Sequence, residues 1–548
     1  MVWDWLIVGS GFGGSVSALR LAEKGYSVLV LEKGSRWAQE DFPRTNWNLK
    51  RWLWIPAIGF RGFFKMTFLR HITALSGVGV GGGSLVYANT LPTPGEGFFR
   101  AEEWEQLADW QTELEPHYDT ARKMLGANPN PMDTAPDRAL RAIARRMGRE
   151  GHIHPALVGV YFGEAGETVP DPYYQGEGPD RTGCSFCGGC MTGCRFGSKN
   201  TLDKNYLWLA ESRGVSVKPD TEVTWIQPLP EEGEPSTLEH RGRYVVTARE
   251  GANAFRKVDR TYRARNVIIS GGTLGTVDLL LRLRKSADGL PDLSERVGDR
   301  VRTNSEVLVG VTTERRELDL SEGVVITSIF RTDDQSYVEP CRFSPGSGFF
   351  RLLATPHAPG NTLLQRLGNA AKRILRAPIR SLRALLVPDW ARYTTTLLYM
   401  RNQEGYIRLT SGRGLFSWFR PGLKSAEGDG PVPTAAIPEA TELADEFAKE
   451  VDGYVGSIVT ETLFGIPTTA HILGGACMGT SRDDGVIDHC HRVFGYDGLY
   501  VIDGSAMSAN PGVNPSLTIT ALAERAMSFI PAKTASGEVL AVNGEEGE

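Results

Sequence analysis

Cysteine is scarce in this sequence: there are seven in 548 residues, and four of them fall between Cys184 and Cys194. So few thiols cannot form the disulfide framework of a small secreted domain, and their clustering points to metal or redox chemistry in a reducing compartment. A surplus of charge of either sign is also missing, since 60 Lys and Arg stand against 65 Asp and Glu, a net −5. Nucleic acid is thereby set aside as the main partner, because phosphate binding needs a basic footprint. No unbroken apolar run reaches about 18 residues, which argues against a transmembrane helix. The stretch Met1 to Gly9 has neither a basic region nor a small-residue cleavage site. No signal peptide is expected, and the location reads as cytoplasmic, with peripheral membrane contact left open. At 41% apolar residues the chain can bury a large core, which excludes disordered, collagenous and coiled-coil classes.

Glycine is in excess, with 63 residues, roughly 11% against a usual ~7%. The first concentration follows the apolar run Trp5 to Val8 as Gly9-Ser10-Gly11-Phe12-Gly13-Gly14. A helix-like segment from Ser15 to Lys24 and a second apolar run, Val28 to Leu31, lead to Glu32. Strand, glycine turn, helix, strand and acid form a dinucleotide fingerprint. In it Gly9 makes the turn, Gly11 lets a pyrophosphate approach the backbone, and Gly14 lets the helix lie close to the strand. Phe12 and Gly13 complete the turn, and Glu32 accepts from ribose hydroxyls. NAD and FAD are not separated by this motif.

A second glycine run, Gly77 to Gly83, precedes Ser84 and Asn89. Near the other end of the chain come the strand-like Leu499 to Ile502 with Asp503-Gly504, and Gly512-Val513-Asn514-Pro515 before an apolar helix. Together with His471-Ile472-Leu473-Gly474-Gly475, these motifs resemble the glucose-methanol-choline (GMC) oxidoreductase family, and within it the cholesterol oxidase branch. The resemblance implies an α/β protein: a Rossmann-like FAD-binding lobe of GMC type with an inserted α+β substrate-binding lobe. The expected FAD lobe is discontinuous, over residues 1–36, 71–100, 184–310 and 465–535. Residues 37–70, 101–183 and 311–464 supply the substrate lobe and lid segments, and 536–548 form a disordered tail. By the same resemblance, Gly79, Gly82, Gly83, Ser84 and Asn89 contact the cofactor, Val223 lies near the adenine, and Gly271 ends a strand returning to it. Asp503, Gly504 and Pro515 border the flavin.

Alcohol oxidation by hydride transfer needs a base for the hydroxyl proton and a polar group to fix the oxygen. His471 and Asn514 suit those roles. An imidazole titrates near working pH, and the Asn amide can donate to the carbinol oxygen. A hydrogen-bonded core histidine and a helix-capping asparagine are the structural alternatives. The expected substrate is a bulky apolar alcohol of sterol type. O2 and a quinone or protein remain open as electron acceptor. A dehydrogenase of long-chain, terpenoid or aromatic alcohols and a flavin electron carrier are the other readings. Steroid-oxidising relatives also imply an active-site Glu from the substrate lobe, and Val387-Pro388-Asp389-Trp390, where it would be sought, holds none.

Cys184-x2-Cys187-x2-Cys190-x3-Cys194 has the ligand spacing of a four-iron four-sulfur site, although Arg195 replaces the usual Pro. The run leaves three readings open: an iron–sulfur cluster, four-thiolate zinc, or metal-free packing of small residues beside the cofactor. Two segments interleave apolar residues with cations, Trp37 to Arg70 and Asn361 to Val387. Each reads either as a membrane-facing rim or as a lid packed on the core.

Overall fold

The computed structural model describes residues 1–229, 242–252, 256–413 and 421–533. The expected tail at 536–548 lies outside the described residues. The fingerprint folds as read: β1 (Val2–Val8), α1 (Phe12–Glu23) and β2 (Val28–Leu31) follow one another, and β1 pairs parallel with β2 from Trp5↔Val28 to Val8↔Leu31. Trp5 to Val8 and Val28 to Leu31 are all buried. Continuous apolar runs of this kind belong to a parallel sheet covered on both faces.

The sheet continues with β3 (Ser216–Lys218), β4 (Thr221–Pro228), β5 (Tyr244–Glu250) and β6 (Val258–Ile269), in the order β3-β2-β1-β6-β5-β4. The strand Leu499–Val501 adds to β6 on the same sheet. The first part of β6 runs antiparallel to β5, and its second part runs parallel to β1. A helix, α2 (Gly272–Arg284), leaves the end of β6.

A second seven-stranded sheet is built around β7 (Val307–Thr313), β8 (Ser328–Arg331), β9 (Ser336–Cys341) and β10 (Ala354–Pro356). Two surface helices follow, α3 (Leu363–Arg376) and α4 (Pro378–Leu385). The sheet is completed by β11 (Thr394–Arg401), β12 (Gly453–Ile458) and the short strand Ile153–Pro155, with α5 (Pro438–Glu450) packed on one face. Strand alternation divides its residues. Val307, Val309, Val311, Leu397 and Tyr399 join Leu443 and Phe447 of α5 in one core. Leu308, Gly310, Thr312, Thr396 and Leu398 face a cavity on the other side.

The two segments of mixed aromatic and basic character part company. Phe42, Trp52, Phe63 and Phe64 of 37–70 are buried with Phe343, Phe350 and Trp390, while Trp47, Ile58 and Phe68 of the same segment stay exposed. Most apolar residues of 361–387 face outward, Leu364, Leu375, Ile379 and Leu386 among them, and Val387 is buried. No described helix is long and apolar enough to cross a membrane.

Candidate active site

The turn after β1 brings the two ends of the chain together. Gly9 has φ +98°, and a Cβ there would lie 2.3 Å from the Ser270 carbonyl oxygen. A Cβ on Gly13 would lie 1.8 Å from the carbonyl oxygen of Ile502, so only glycine lets α1 start against the strand at 499–501. At Gly11 a Cβ would meet no atom within 4 Å among the described residues beyond its chain neighbours, because that position faces the cavity. The second glycine run packs back to back with the first, and Ser10 joins them: its Oγ donates to Glu32 Oε2 (2.9 Å) and accepts from Gly81 N–H (3.1 Å).

One cavity of about 700 Å³ runs between the two sheets. Its glycine end is lined by Gly9, Gly11, Phe12, Gly13, Glu32, Gly82, Gly83, Val223 and Gly271, and Asp503, Gly504 and Pro515 follow. Gly14, Gly79, Ser84 and Asn89 stand behind this wall rather than in it. The Asn89 amide is fully buried with no partner among the described residues. Lys33 and Lys65 also line this end, and the Lys33 ammonium, aided by burial, holds Lys65 down to about 8. An anionic group would relieve that repulsion. The start of α1, with no acid in its first turn, faces the same space. Asp503 is fixed by donors from Ser505 (N–H, 2.8 Å), Gly272 (N–H, 2.8 Å) and Thr276, and burial raises its pKa. A helix start, paired lysines and an acid at the end of β2 fit the pyrophosphate and ribose of a dinucleotide.

Beyond Asn514 the cavity turns apolar, walled by Met191, Ile326, Phe343, Phe350, Trp390 and Leu398. His471 and Asn514 stand between the two ends. His471 Nδ1 lies 2.5 Å from Glu306 Oε2, and the other oxygen of Glu306 accepts the Ala470 N–H at 2.5 Å. His471 Nε2 is 3.5 Å from Asn514 Nδ2, which donates to Glu339 Oε2 at 3.1 Å. Burial alone would lower the pKa of His471, but the charge and hydrogen bond of Glu306 outweigh it and leave the imidazole raised. Burial pushes Glu339 up to about 8, so it carries its proton at neutral pH. Asn514 Oδ1 and Glu339 Oε1 are buried without a partner among the described residues. Such an orphaned atom costs about 1–3 kcal/mol, a cost that a hydroxyl arriving there would remove.

Sequence reasoning missed Glu306 and Glu339. The carboxylate sought near residue 389 lies elsewhere: Asp389 caps a short helix and accepts from Arg392 and Gly346 N–H, while Trp390 lines the cavity. The signal was alternation. Glu306 precedes the cavity-facing series Leu308, Gly310, Thr312, and Glu339 shares the face of Cys341 while Val338 points into the opposite core.

The four-thiolate site on Cys184, Cys187, Cys190 and Cys194 is not formed. Among the described residues, no group of three or more His, Cys, Asp or Glu side chains is placed to hold a metal ion. Cys184 and Cys190 share one apolar cluster, and each of the four is also held by its own local contacts. Cys184 is buried among Val324, Val325 and Ile326, and Cys187 bridges to Gly323. Cys190 opens a single 3₁₀ turn, and the chain reverses at Gly193 (φ +88°) against the Phe42 ring before Cys194. The buried Lys199 ammonium donates to the carbonyls of Leu85 (3.1 Å), Tyr87 (2.9 Å) and Cys190 (2.9 Å), locking this segment to the second glycine loop. Met191 in that turn lines the cavity, so the cysteine segment lies beside the cofactor space.

Comparison with known proteins gives the class. Residues 414–523 match the GMC oxidoreductase family model, and residues 7–38 match an NAD(P)-binding Rossmann-like domain. The chain is 43% identical to a cholesterol oxidase of Acinetobacter baumannii over 97% of its own length and 95% of the relative's. It is also 43% identical to a cholesterol oxidase of Mycobacterium tuberculosis, over 97% and 91%. A long-chain-alcohol oxidase of Arabidopsis thaliana is more distant, at 24% over 95% of this chain and 66% of that one. Among solved structures, pyridoxine 4-oxidase from Mesorbium loti shares the fold, with TM-score 0.59, 14% identity and coverage of 96% and 99%. The chain belongs to the GMC oxidoreductase family, in its cholesterol oxidase branch. It is an FAD-dependent alcohol oxidoreductase.

Proposed function

We propose that this enzyme oxidises the secondary CH–OH group of a bulky, apolar, sterol-like alcohol and that O2 takes up the electrons. FAD, held along the glycine end by Glu32, the start of α1 and the second glycine loop, supplies the hydride acceptor at flavin N5. His471 Nε2 receives the hydroxyl proton, with Glu306 on Nδ1 fixing the ring and its tautomer. Asn514 holds the carbinol oxygen through its amide, and Glu339, neutral at pH 7, keeps that amide aimed. The apolar walls strip water from the ring system of the substrate and leave its hydroxyl as the group seeking partners.

The carrying observation is the position of His471, Asn514 and their two carboxyl partners at the junction of the glycine-lined and apolar parts of one cavity. The names of the 43%-identical relatives support both the sterol and the oxidase parts of the reading. Anaerobic mixing of holoenzyme with a 3-hydroxysterol should bleach the flavin band, and admitting oxygen should restore it with release of peroxide. A flavin that a sterol leaves coloured, while a long-chain primary alcohol bleaches it, would overturn the substrate class.

A further inference from the structure

The apolar end of the cavity has a polar spot in its floor. Thr312 of β7 and Thr394 of β11 stand directly opposite each other in the sheet, and both are buried side chains that line the cavity. Their Oγ1 atoms lie 2.9 Å apart, and neither hydroxyl makes another hydrogen bond among the described residues. Two hydroxyls carry two protons, but the contact between them uses only one. The second proton has no protein acceptor there. Water in an open cavity can take it, whereas a hydrocarbon seated on the pair would strand it. Valine, of nearly the same shape, would serve a purely apolar occupant better.

Strand register says where the pair lies along the cavity. Leu308 and Glu339 both stand opposite Leu398, and the two threonines lie four residues further along β7 and β11. At about 3.3 Å per residue they are about 13 Å from the level of Glu339, the partner of the Asn514 amide. Gly310, midway, puts no side chain into that length of floor. A fused ring system held by its hydroxyl at Asn514 and laid along this floor brings its opposite end to the threonines. Charge narrows what that end carries. The cations that line the cavity, Lys33, Lys65 and Arg282, belong to the glycine end with Glu32 and Val223, so the threonine end offers a carboxylate no lining countercharge among the described residues.

We propose that Thr312 and Thr394 select a substrate with a second, uncharged acceptor oxygen, a ketone or hydroxyl, at the end of its ring system remote from the reacting alcohol. The inference rests on the sterol reading given above and narrows it, from sterols ending in a plain alkyl chain to steroids oxygenated at both ends.

The test gives the holoenzyme two 3-hydroxysteroids of the same ring system in one detergent, one with a 17-ketone and one with no oxygen at that position. Wild-type kcat/KM should favour the ketone by about tenfold, mainly through KM, since the contact is made equally before and during hydride transfer. In the double variant Thr312→Val/Thr394→Val the ratio should fall to about one. Differences in solubility between the steroids are the same for both proteins and cancel in that comparison. Melting temperature and flavin spectrum report whether the variant has folded, and the wild-type preference is a measurement that does not depend on it. A wild-type ratio near one overturns the inference, as does a ratio that the folded double variant leaves unchanged. A flavin that neither steroid reduces overturns the sterol reading and this inference with it, so the two failures are distinct.

Discussion

Glu306 grips His471 at two points: one carboxylate oxygen lies 2.5 Å from Nδ1 of the ring, and the other accepts the N–H of the preceding Ala470. Ring orientation and main-chain position are therefore set by the same side chain. Nε2 is left as the nitrogen facing Asn514 and the cavity.

Turnover should fall as pH drops below the raised His471 pKa, since a proton acceptor must be neutral. Replacing Glu306 by Gln removes the charge that raises it. The acid limb of the pH–rate profile should move to lower pH, and the plateau of flavin reduction should drop by roughly a hundredfold through lost positioning. A profile unmoved by Glu306→Gln would dismiss the pairing.

Glu339 gives a stability signature. Its folded value of about 8 stands above the ordinary 4.5, so the folded state keeps a proton that the unfolded chain releases. Its contribution is intact below about 4.5 and is lost as pH rises toward about 8. Glu339→Gln should melt progressively higher than wild type across that window, by roughly 1 kcal/mol per pH unit, and level off above it. A melting difference that stays flat with pH contradicts the burial cost.

Two glycines of one turn should behave differently. Ala at Gly13 collides with the Ile502 carbonyl and should lower the melting temperature even without flavin. Ala at Gly11 touches no protein atom, so the flavin-free protein should melt normally and yet bind FAD poorly. Melting curves with and without FAD, set beside flavin absorbance, distinguish the two.

The cysteine run should be free of cofactor. Anaerobically purified protein is expected to contain neither iron nor acid-labile sulfide, and Cys187→Ser should change turnover by less than about twofold. A stoichiometric iron content would restore the cluster reading.

The residues most readable in the sequence were those whose function needs local chain geometry. The turn Gly9 to Gly14, the run at Gly77 to Gly83 and the apolar strands beside them carry their structure in short-range pattern. His471 and Asn514 were readable through the motifs around them. Glu306 and Glu339 were not, because each sits in a strand whose partners come from distant parts of the chain. Their meaning appears only when alternation is registered against a sheet already assembled. The cysteines misled for the opposite reason: spacing fits a ligand set, but spacing does not say whether the chain folds the thiols toward one point. Composition alone gave 37–70 and 361–387 the same reading, although most aromatics of the first are buried and most leucines of the second are exposed.

The close packing of Gly13 against the Ile502 carbonyl has a consequence for biosynthesis. The turn Gly9 to Gly14 has no wall to close against until the strand Leu499–Val501 has been made and has joined β6. Stable flavin loading should therefore wait for that strand. Chains that stop short of that strand should emerge colourless however well their early domains fold, so the yellow of the finished protein reports that synthesis ran through to Ile502.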